Sequence, residues 1–251
     1  MGVLKTIGDF TVVVVAMIAL VPLGVLLFIL SCLGLEKPMS ILIYKVAQGW
    51  SLLLIKCTRC TLTVIGKEHI PPKGGLCLVS NHNSIFDIVL LLGLIGRPVG
   101  FIAKKELAWI PVLNMWMLLL GCLFIDRKNI RKAVGTINTG IQRIKRGGAM
   151  IIFPEGTRSK GRGLLPFRTG SLKLATQSGA PIVPVAITGS YEVFEKTYRV
   201  QAVPVGVRFL APINTAELPL EDRRQNLSDQ IQKVIAKALE SLTVHGSDKR
   251  A

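Results

Sequence analysis

The sequence predicts an α/β domain, a mixed, largely parallel sheet flanked by helices, preceded by a membrane-embedded segment of two helices. Three observations predict it. From Thr61 onward, short β-branched or apolar runs alternate with helical ones, the pattern of strands and helices that cover a sheet on both sides. Before them lies an uncharged run from Phe10 to Leu35. Half of the 251 residues are hydrophobic and the net charge is +16, with a mean hydropathy of +0.49. Apolar and basic together, the chain suits an anionic surface in which it is partly buried.

Phe10–Leu35 is bracketed by Asp9 and Glu36 and exceeds the roughly 20 residues that cross a bilayer. It also far exceeds the apolar part of a cleaved signal peptide. Pro22 and Gly24 in mid-run favour bending. Lys37-Pro38 ends the run, and proline suits the start of a new helix. Met39 to Thr61 is apolar again, but Lys45, Lys56 and Arg59, with Tyr44, Gln48 and Ser51, interrupt it. It reads as amphipathic rather than spanning. Two arrangements fit: Phe10–Leu35 spans and the rest faces the cytosol, where most Lys and Arg follow it, or the two helices form a hairpin in one leaflet.

Strands are predicted at Leu62–Ile65, Leu76–Val79, Val99–Ala103, Cys122–Ile125, Ala149–Phe153, Ile182–Ile187 and Val205–Phe209. Helices are predicted at Ile85–Leu94, Ile130–Arg146, Gly170–Ser178 and Leu220–Leu242. Pro71 to Gly75 is a loop. The chain divides into membrane-associated helices over 1–60, an α/β domain over 61–245 and a tail over 246–251.

Nucleic acid is the competing partner for so basic a chain. Aromatic residues make up only 6%, and no stacking motif or zinc-finger spacing is present, so no nucleic-acid role is expected. The five cysteines form no disulfide framework. Cys57 and Cys60 lack the second pair or the histidines that a zinc site needs, so no metal is expected.

Chemistry concentrates after the predicted strand ends. Asn81-His82-Asn83-Ser84-Ile85-Phe86-Asp87 follows Leu76–Val79, where an α/β sheet places its site. Neutral His82 can take a proton near pH 7. The five-residue spacing to Asp87 separates the two by about 140° on a regular helix. They meet only if His82 lies in the loop and Asp87 in the first helical turn, with Ser84 as N-cap. Ser84 to Asp87 is equally a capping-box pattern, which would give Asp87 only a helix-start role. Amide and imidazole side chains in a row have no packing purpose there.

Phe153-Pro154-Glu155-Gly156-Thr157-Arg158-Ser159 follows the next such strand. Gly156 admits close backbone approach, and Arg158 can grip a phosphate bidentately. Lys160, Arg162 and Arg168 add a basic rim; the alternative is a surface turn with chance charges. Lys104 and Lys105 follow Val99–Ala103, and Asp126, Arg127 and Lys128 follow Cys122–Ile125. Parallel strands would gather all four ends at one rim, although these lysines can also be simply solvated.

With these motifs in hand, the sequence resembles the glycerolipid acyltransferases, most closely the bacterial type of 1-acyl-sn-glycerol-3-phosphate acyltransferases. His82 with Asp87 matches the family's His-x4-Asp motif, and Phe153 to Ser159 its acceptor-binding motif. Gly121 to Arg127 and Ile182 to Val185 resemble two further blocks. The resemblance implies acyl transfer from acyl-CoA or acyl-acyl carrier protein to the sn-2 hydroxyl of lysophosphatidic acid, giving phosphatidic acid. It implies His82 as base and Asp87 as its orienting group. Glu155, Gly156, Thr157 and Arg158 would bind the acceptor, with Lys105 and Arg127 as further phosphate contacts. No cofactor is implied beyond the thioester co-substrate. The implied partner is an anionic phospholipid membrane, at the cytoplasmic face of the inner (plasma) membrane. Another acceptor (glycerol-3-phosphate, another lysophospholipid or a lyso-aminolipid) and a non-catalytic lipid-binding role remain the alternatives.

Overall fold

The computed structural model describes residues 2–168, 170–215 and 226–247. The chain begins with helices α1 (Gly2–Ala19) and α2 (Val21–Leu30), a π-helical turn (Ser31–Leu35) and the long helix α3 (Glu36–Thr58). The sheet domain then runs β1 (Thr61–Ile65), β2 (Leu76–Ser80), α4 (Phe86–Leu94) and β3 (Gly100–Lys104). It continues through α5 (Leu113–Leu119), β4 (Leu123–Ile125), α6 (Ile130–Lys145) and β5 (Ala149–Ile152). It ends with α7 (Lys173–Ser178), β6 (Ile182–Thr188), α8 (Ser190–Val193), β7 (Pro204–Phe209) and α9 (Leu227–Ser247).

Seven strands form one sheet in the order β1-β7-β6-β2-β5-β3-β4. Only the β6–β7 pairing is antiparallel. The five strands β2 to β6 therefore run the same way, and their C-terminal ends share one rim. Because side chains alternate along a strand, Leu76, Leu78 and Ile151 enter one core. Cys77, Val79, Met150 and Ile152 enter the other. The first core is covered by α3 and α4, the second by α6, α7 and α9. Both faces are covered, which is why the central strands read as continuous apolar runs.

All seven sequence-predicted strands are present, each within a residue or so of its predicted bounds. The predicted helix over 170–178 starts later, at Lys173. The last helix runs past Leu242 to Ser247, so Gly246 is helical rather than tail; its predicted start at Leu220 and residues 248–251 lie outside the described residues. Helices α5 and α8 were not predicted: at 7 and 4 residues they are too short to show a helical period.

Phe10–Leu35 bends, in line with the expectation from Pro22 and Gly24: a turn at Leu20 separates α1 from α2, and a π-helical turn follows Leu30. Among the described residues, the helix long and apolar enough to cross a membrane is Pro38–Thr58, the stretch read as amphipathic. Lys45 and Lys56 are exposed, but three other polar residues face the domain. The Tyr44 hydroxyl donates to Leu92 O at 3.0 Å and accepts from Gly96 N at 2.8 Å. The Gln48 amide donates to Gly93 O at 3.1 Å, and Ser51 is buried. Ile41, Leu42, Leu52 and Leu53 point outward. The inward face is thus mixed, with Ile43, Ala47 and Ile55 buried beside the polar seam, and the outward face is mostly apolar. Glycine at 93 allows the approach, since a β-carbon there would stand 3.2 Å from Ile55 Cδ1. Both α1 and α2 pack on α3, so the two apolar stretches lie side by side. The division at residue 60 is thus one of composition; Tyr44, Ala47 and Ile55 belong to the same core as the sheet.

Tyr44→Phe should test this seam. It would leave the Gly96 N–H and the buried Leu92 carbonyl without this partner, a cost of about 1–3 kcal/mol. Thermal unfolding in detergent should show a lower Tm; an unchanged Tm would mean that the seam does not hold the helix to the domain.

Candidate active site

The site is built where β2 ends. Ser80 pairs with Val185 in the last rung of the β2–β6 ladder. Beyond it, the Asn81 side chain continues the ladder: its amide donates to Ile187 O at 2.9 Å and its carbonyl accepts from Ile187 N at 2.8 Å. The Asn83 amide also donates to Ile187 O at 2.9 Å. These amides therefore do have a structural purpose, contrary to the sequence reading: they fix the loop that carries His82.

Asp87 is fully buried in the first turn of α4. One oxygen, Oδ2, accepts from the His82 ring Nδ1 at 2.8 Å. The same oxygen accepts from the backbone N–H groups of Asn83 at 2.7 Å and Ser84 at 2.9 Å. Ser84 Oγ accepts from Phe86 N at 3.1 Å. The capping-box and orienting roles of Asp87 therefore coexist: the Ser84 N–H bond is the return half of the box, and the His82 bond is added to it. A carboxylate accepts, so Nδ1 carries the proton and Nε2 keeps its lone pair. The imidazole stacks on Phe153, with ring centroids 4.0 Å apart, which fixes its plane. Asp87 Oδ1 is buried without a hydrogen-bond partner.

The Phe153–Ser159 motif follows β5, the neighbour of β2, and is bonded to the His82 loop. Ser159 N donates to His82 O at 2.7 Å and Lys160 N to Asn83 O at 3.1 Å. Ser159 Oγ donates to Asn83 Oδ1 at 2.7 Å. Glu155 is buried at 3% exposure, and its carboxylate accepts from His82 N at 2.6 Å and Leu165 N at 3.0 Å. Expected in the acceptor-binding set, it lies behind the site as a support under His82. Burial raises its pKa against the opposing pull of those two amides. Gly156 has φ +69, and a β-carbon there would lie 2.5 Å from Arg168 Nε. Glycine is needed at this position for the left-handed turn and for room beside Arg168.

The cations separate into two kinds. Arg158 pairs with Glu195 and lies beside the site. Arg127 donates to Gly156 O. Burial, then the nearby Arg168, lowers the Arg127 pKa: two guanidinium groups repel there, so the spot favours an anion. Lys105 instead pairs with Asp126 at 2.8 Å. That bond raises the lysine pKa and lowers that of Asp126, and Lys104, not Lys105, lines the pocket. Thr157 is exposed at the pocket's edge.

His82, Arg127, Arg158 and Lys160 meet in one pocket of about 970 Å³. Its far wall is apolar and comes partly from the N-terminal helices, through Met17, Val46, Trp50 and Leu54. A polar, cationic end beside a long greasy one suits an anionic head with an alkyl chain. Sequence reasoning missed Glu195, whose other oxygen accepts from Ile85 N at 2.9 Å. It thus ties Arg158 to the start of α4. No local pattern marks it.

With this geometry, the chain belongs to the acyltransferase family, whose model matches residues 61–188, and within it to the 1-acyl-sn-glycerol-3-phosphate acyltransferases. It is 32% identical over 245 residues to a probable enzyme of that name from Mycoplasma pneumoniae, covering 88% of this chain and 90% of that protein. It is 32% identical to the Escherichia coli enzyme, covering 71% of this chain and 72% of that one. The Limnanthes douglasii enzyme is 38% identical, but the match spans 61% of this chain and about half, 55%, of that protein. Among solved structures, the 1-acyl-sn-glycerophosphate (LPA) acyltransferase PlsC from Thermotoga maritima superposes with a TM-score of 0.75 at 25% identity, covering 95% of this chain and 98% of that one.

Glu155→Gln should place an amide NH₂ against a backbone donor and shift the His82 loop. Turnover should fall about 10²-fold with little change in acceptor KM; a rise in KM alone would return Glu155 to acceptor binding. Because its pKa is raised in the folded protein, the stability it contributes is present in acid and is lost as pH rises through that pKa. The stability of wild type relative to Glu155→Gln, measured by denaturant unfolding, should therefore decline as the pH is raised above the ordinary carboxylate range.

Proposed function

We propose that this protein transfers an acyl chain from acyl-CoA or acyl-acyl carrier protein to the sn-2 hydroxyl of lysophosphatidic acid, giving phosphatidic acid. The observation that carries the reading is His82, held by Asp87 at Nδ1, in a pocket lined by basic side chains at one end and apolar ones at the other. The names of the relatives support the same acceptor.

In this mechanism the acceptor phosphate sits among Arg127, Arg158 and Lys160, and its hydroxyl points at His82 Nε2. The nitrogen takes the hydroxyl proton as the oxygen attacks the thioester carbonyl. The buried Asp87 carboxylate stabilises the imidazolium that forms. The tetrahedral intermediate collapses, the C–S bond breaks, and the departing thiolate takes the proton from Nε2. No acyl-enzyme is needed: Ser84 spends its hydroxyl on Phe86 N. Arg158 must exchange Glu195 for phosphate, or share itself between them. Both substrate tails favour lipid, and the outward apolar faces of α2 and α3 support a membrane location. The excess of Lys and Arg after the apolar helices favours the cytoplasmic face.

Purified protein in anionic vesicles, given each thioester and a panel of lysolipid acceptors, should form phosphatidic acid from lysophosphatidic acid. Equal turnover of glycerol-3-phosphate or of larger headgroups would overturn the acceptor. His82→Ala should lower kcat by on the order of 10³-fold or more, and Asp87→Asn by about the same, since an amide at Nδ1 favours the wrong tautomer. A folded His82→Ala with normal turnover would remove the mechanism. Arg158→Ala should raise acceptor KM by about tenfold or more, the loss of one charge-assisted bond, with a smaller effect on kcat.

A further inference from the structure

Between β3 and α5 the chain turns outward at Trp109-Ile110-Pro111. Trp109 is 84% exposed and Ile110 45% exposed, and Pro111 is exposed as well. Single exposed apolar residues are ordinary; three in succession at a projecting turn, led by tryptophan, are not. The tip is ordered. Ile110 N donates to Leu107 O at 3.3 Å, Asn114 N to Ile110 O at 3.0 Å, and the Asn114 side chain to Ala108 O at 2.8 Å. The following residue, Val112, has φ +64, a conformation that costs a β-branched residue free energy and persists only where the surroundings impose it.

The tip is continuous with the apolar surface of the N-terminal helices. Behind it, Met115 and Trp116 of α5 pack on Gly24 of α2 so closely that a β-carbon there would lie 2.8 Å from Met115 Cε. Leu118 on α5 is exposed, as are Val25, Leu26, Phe28 and Ile29 on α2. Lys104, exposed at the end of β3, and Leu113, just after the tip, both line the pocket. Backbone chemistry fits lipid too. Proline has no N–H to leave unpaired, and Ile110 N is already bonded within the turn, as an apolar medium requires.

We infer that Trp109-Ile110-Pro111 is a second membrane-inserting element, a wedge that enters the headgroup region of an anionic phospholipid surface beside the mouth of the pocket. Tryptophan favours that depth, with its ring in the apolar boundary and its N–H toward water. The nearby Lys104, Arg127 and Lys128 meet the anionic headgroups. The tip would thus hold the pocket's cationic rim at the plane in which an acceptor presents its phosphate. This rests on the membrane-surface reading of the site, but its test does not need turnover.

The experiment uses the full chain in vesicles that contain anionic phospholipid and lipids brominated near the headgroup. The protein has three tryptophans, so Trp109→Phe serves as the subtraction. The Trp109 component of emission, wild type minus variant, should be quenched by the brominated lipid and protected from aqueous iodide. Quenching by iodide without quenching by bromolipid overturns the proposal. So does iodide protection that appears only as protein concentration rises in detergent, which would make the tip an interface between copies of the chain. In a second arm, Trp109→Ala with Ile110→Ser should raise the KM for vesicle-borne lysophosphatidic acid several-fold and leave that for a short-chain, water-soluble analogue unchanged. Equal effects on both would overturn the proposal. Loss of all turnover with bromolipid quenching intact would count against the reaction and not against the wedge.

Discussion

The arrangement turns on one buried oxygen. Asp87 Oδ2 accepts the imidazole of His82 and two backbone N–H groups, so the same atom closes the loop, starts α4 and sets the histidine tautomer. A fully buried carboxylate would be costly without such partners. The three donors offset that cost. The folding of the loop and the orientation of His82 depend on the same bonds. Substitution at Asp87 must therefore disturb both, and only a variant that keeps the side chain's volume can separate them.

The sheet supplies the rest of the constellation. Five parallel strands end at one rim, and each contributes a different piece. The loop after β2 carries His82, the end of β3 carries Lys104, the loop after β5 carries Arg158, and the loop after β4 carries Arg127. The end of β6 supplies Ile187 as an anchor for both asparagines. Glu155 and Glu195 brace this rim from two sides, one beneath His82 and one between Arg158 and Ile85. Glu155 accepts a backbone N–H with each oxygen, and Glu195 accepts one backbone N–H and the Arg158 guanidinium, so both fix the course of the chain. Preorganisation of this kind is how an active site avoids reordering itself at the moment of reaction.

Much of this was legible in the sequence, for identifiable reasons. The strands were, because both faces of the sheet are covered and the runs Leu76–Val79 and Ile182–Ile187 are apolar throughout. His82, Asp87 and Arg158 were, because they follow strand ends in short motifs. Glu155 was placed in the motif but given the wrong neighbours: nothing in Phe-Pro-Glu-Gly says that the carboxylate turns inward to two amides. Lys105 was chosen over Lys104 although adjacent residues at a strand end point opposite ways, and only the pairing with Asp126 decides which one faces the pocket. Glu195 was invisible, since its partners lie 37 and 110 residues away.

Helix α3 is instructive too. Periodicity shows that one helix face differs from the other, but it does not say how each face is used. Here Ile43, Ala47 and Ile55 turn inward beside Tyr44 and Gln48, whose side chains donate to carbonyls of α4, while Leu52 and Leu53 turn out with Lys45 and Lys56. The polar seam fixes how the helix sits on the domain it belongs to: hydrogen bonds discriminate where hydrophobic burial does not. The same helix contributes Val46, Trp50 and Leu54 to the pocket wall. The outward apolar face and part of the pocket wall thus belong to a single element, α3.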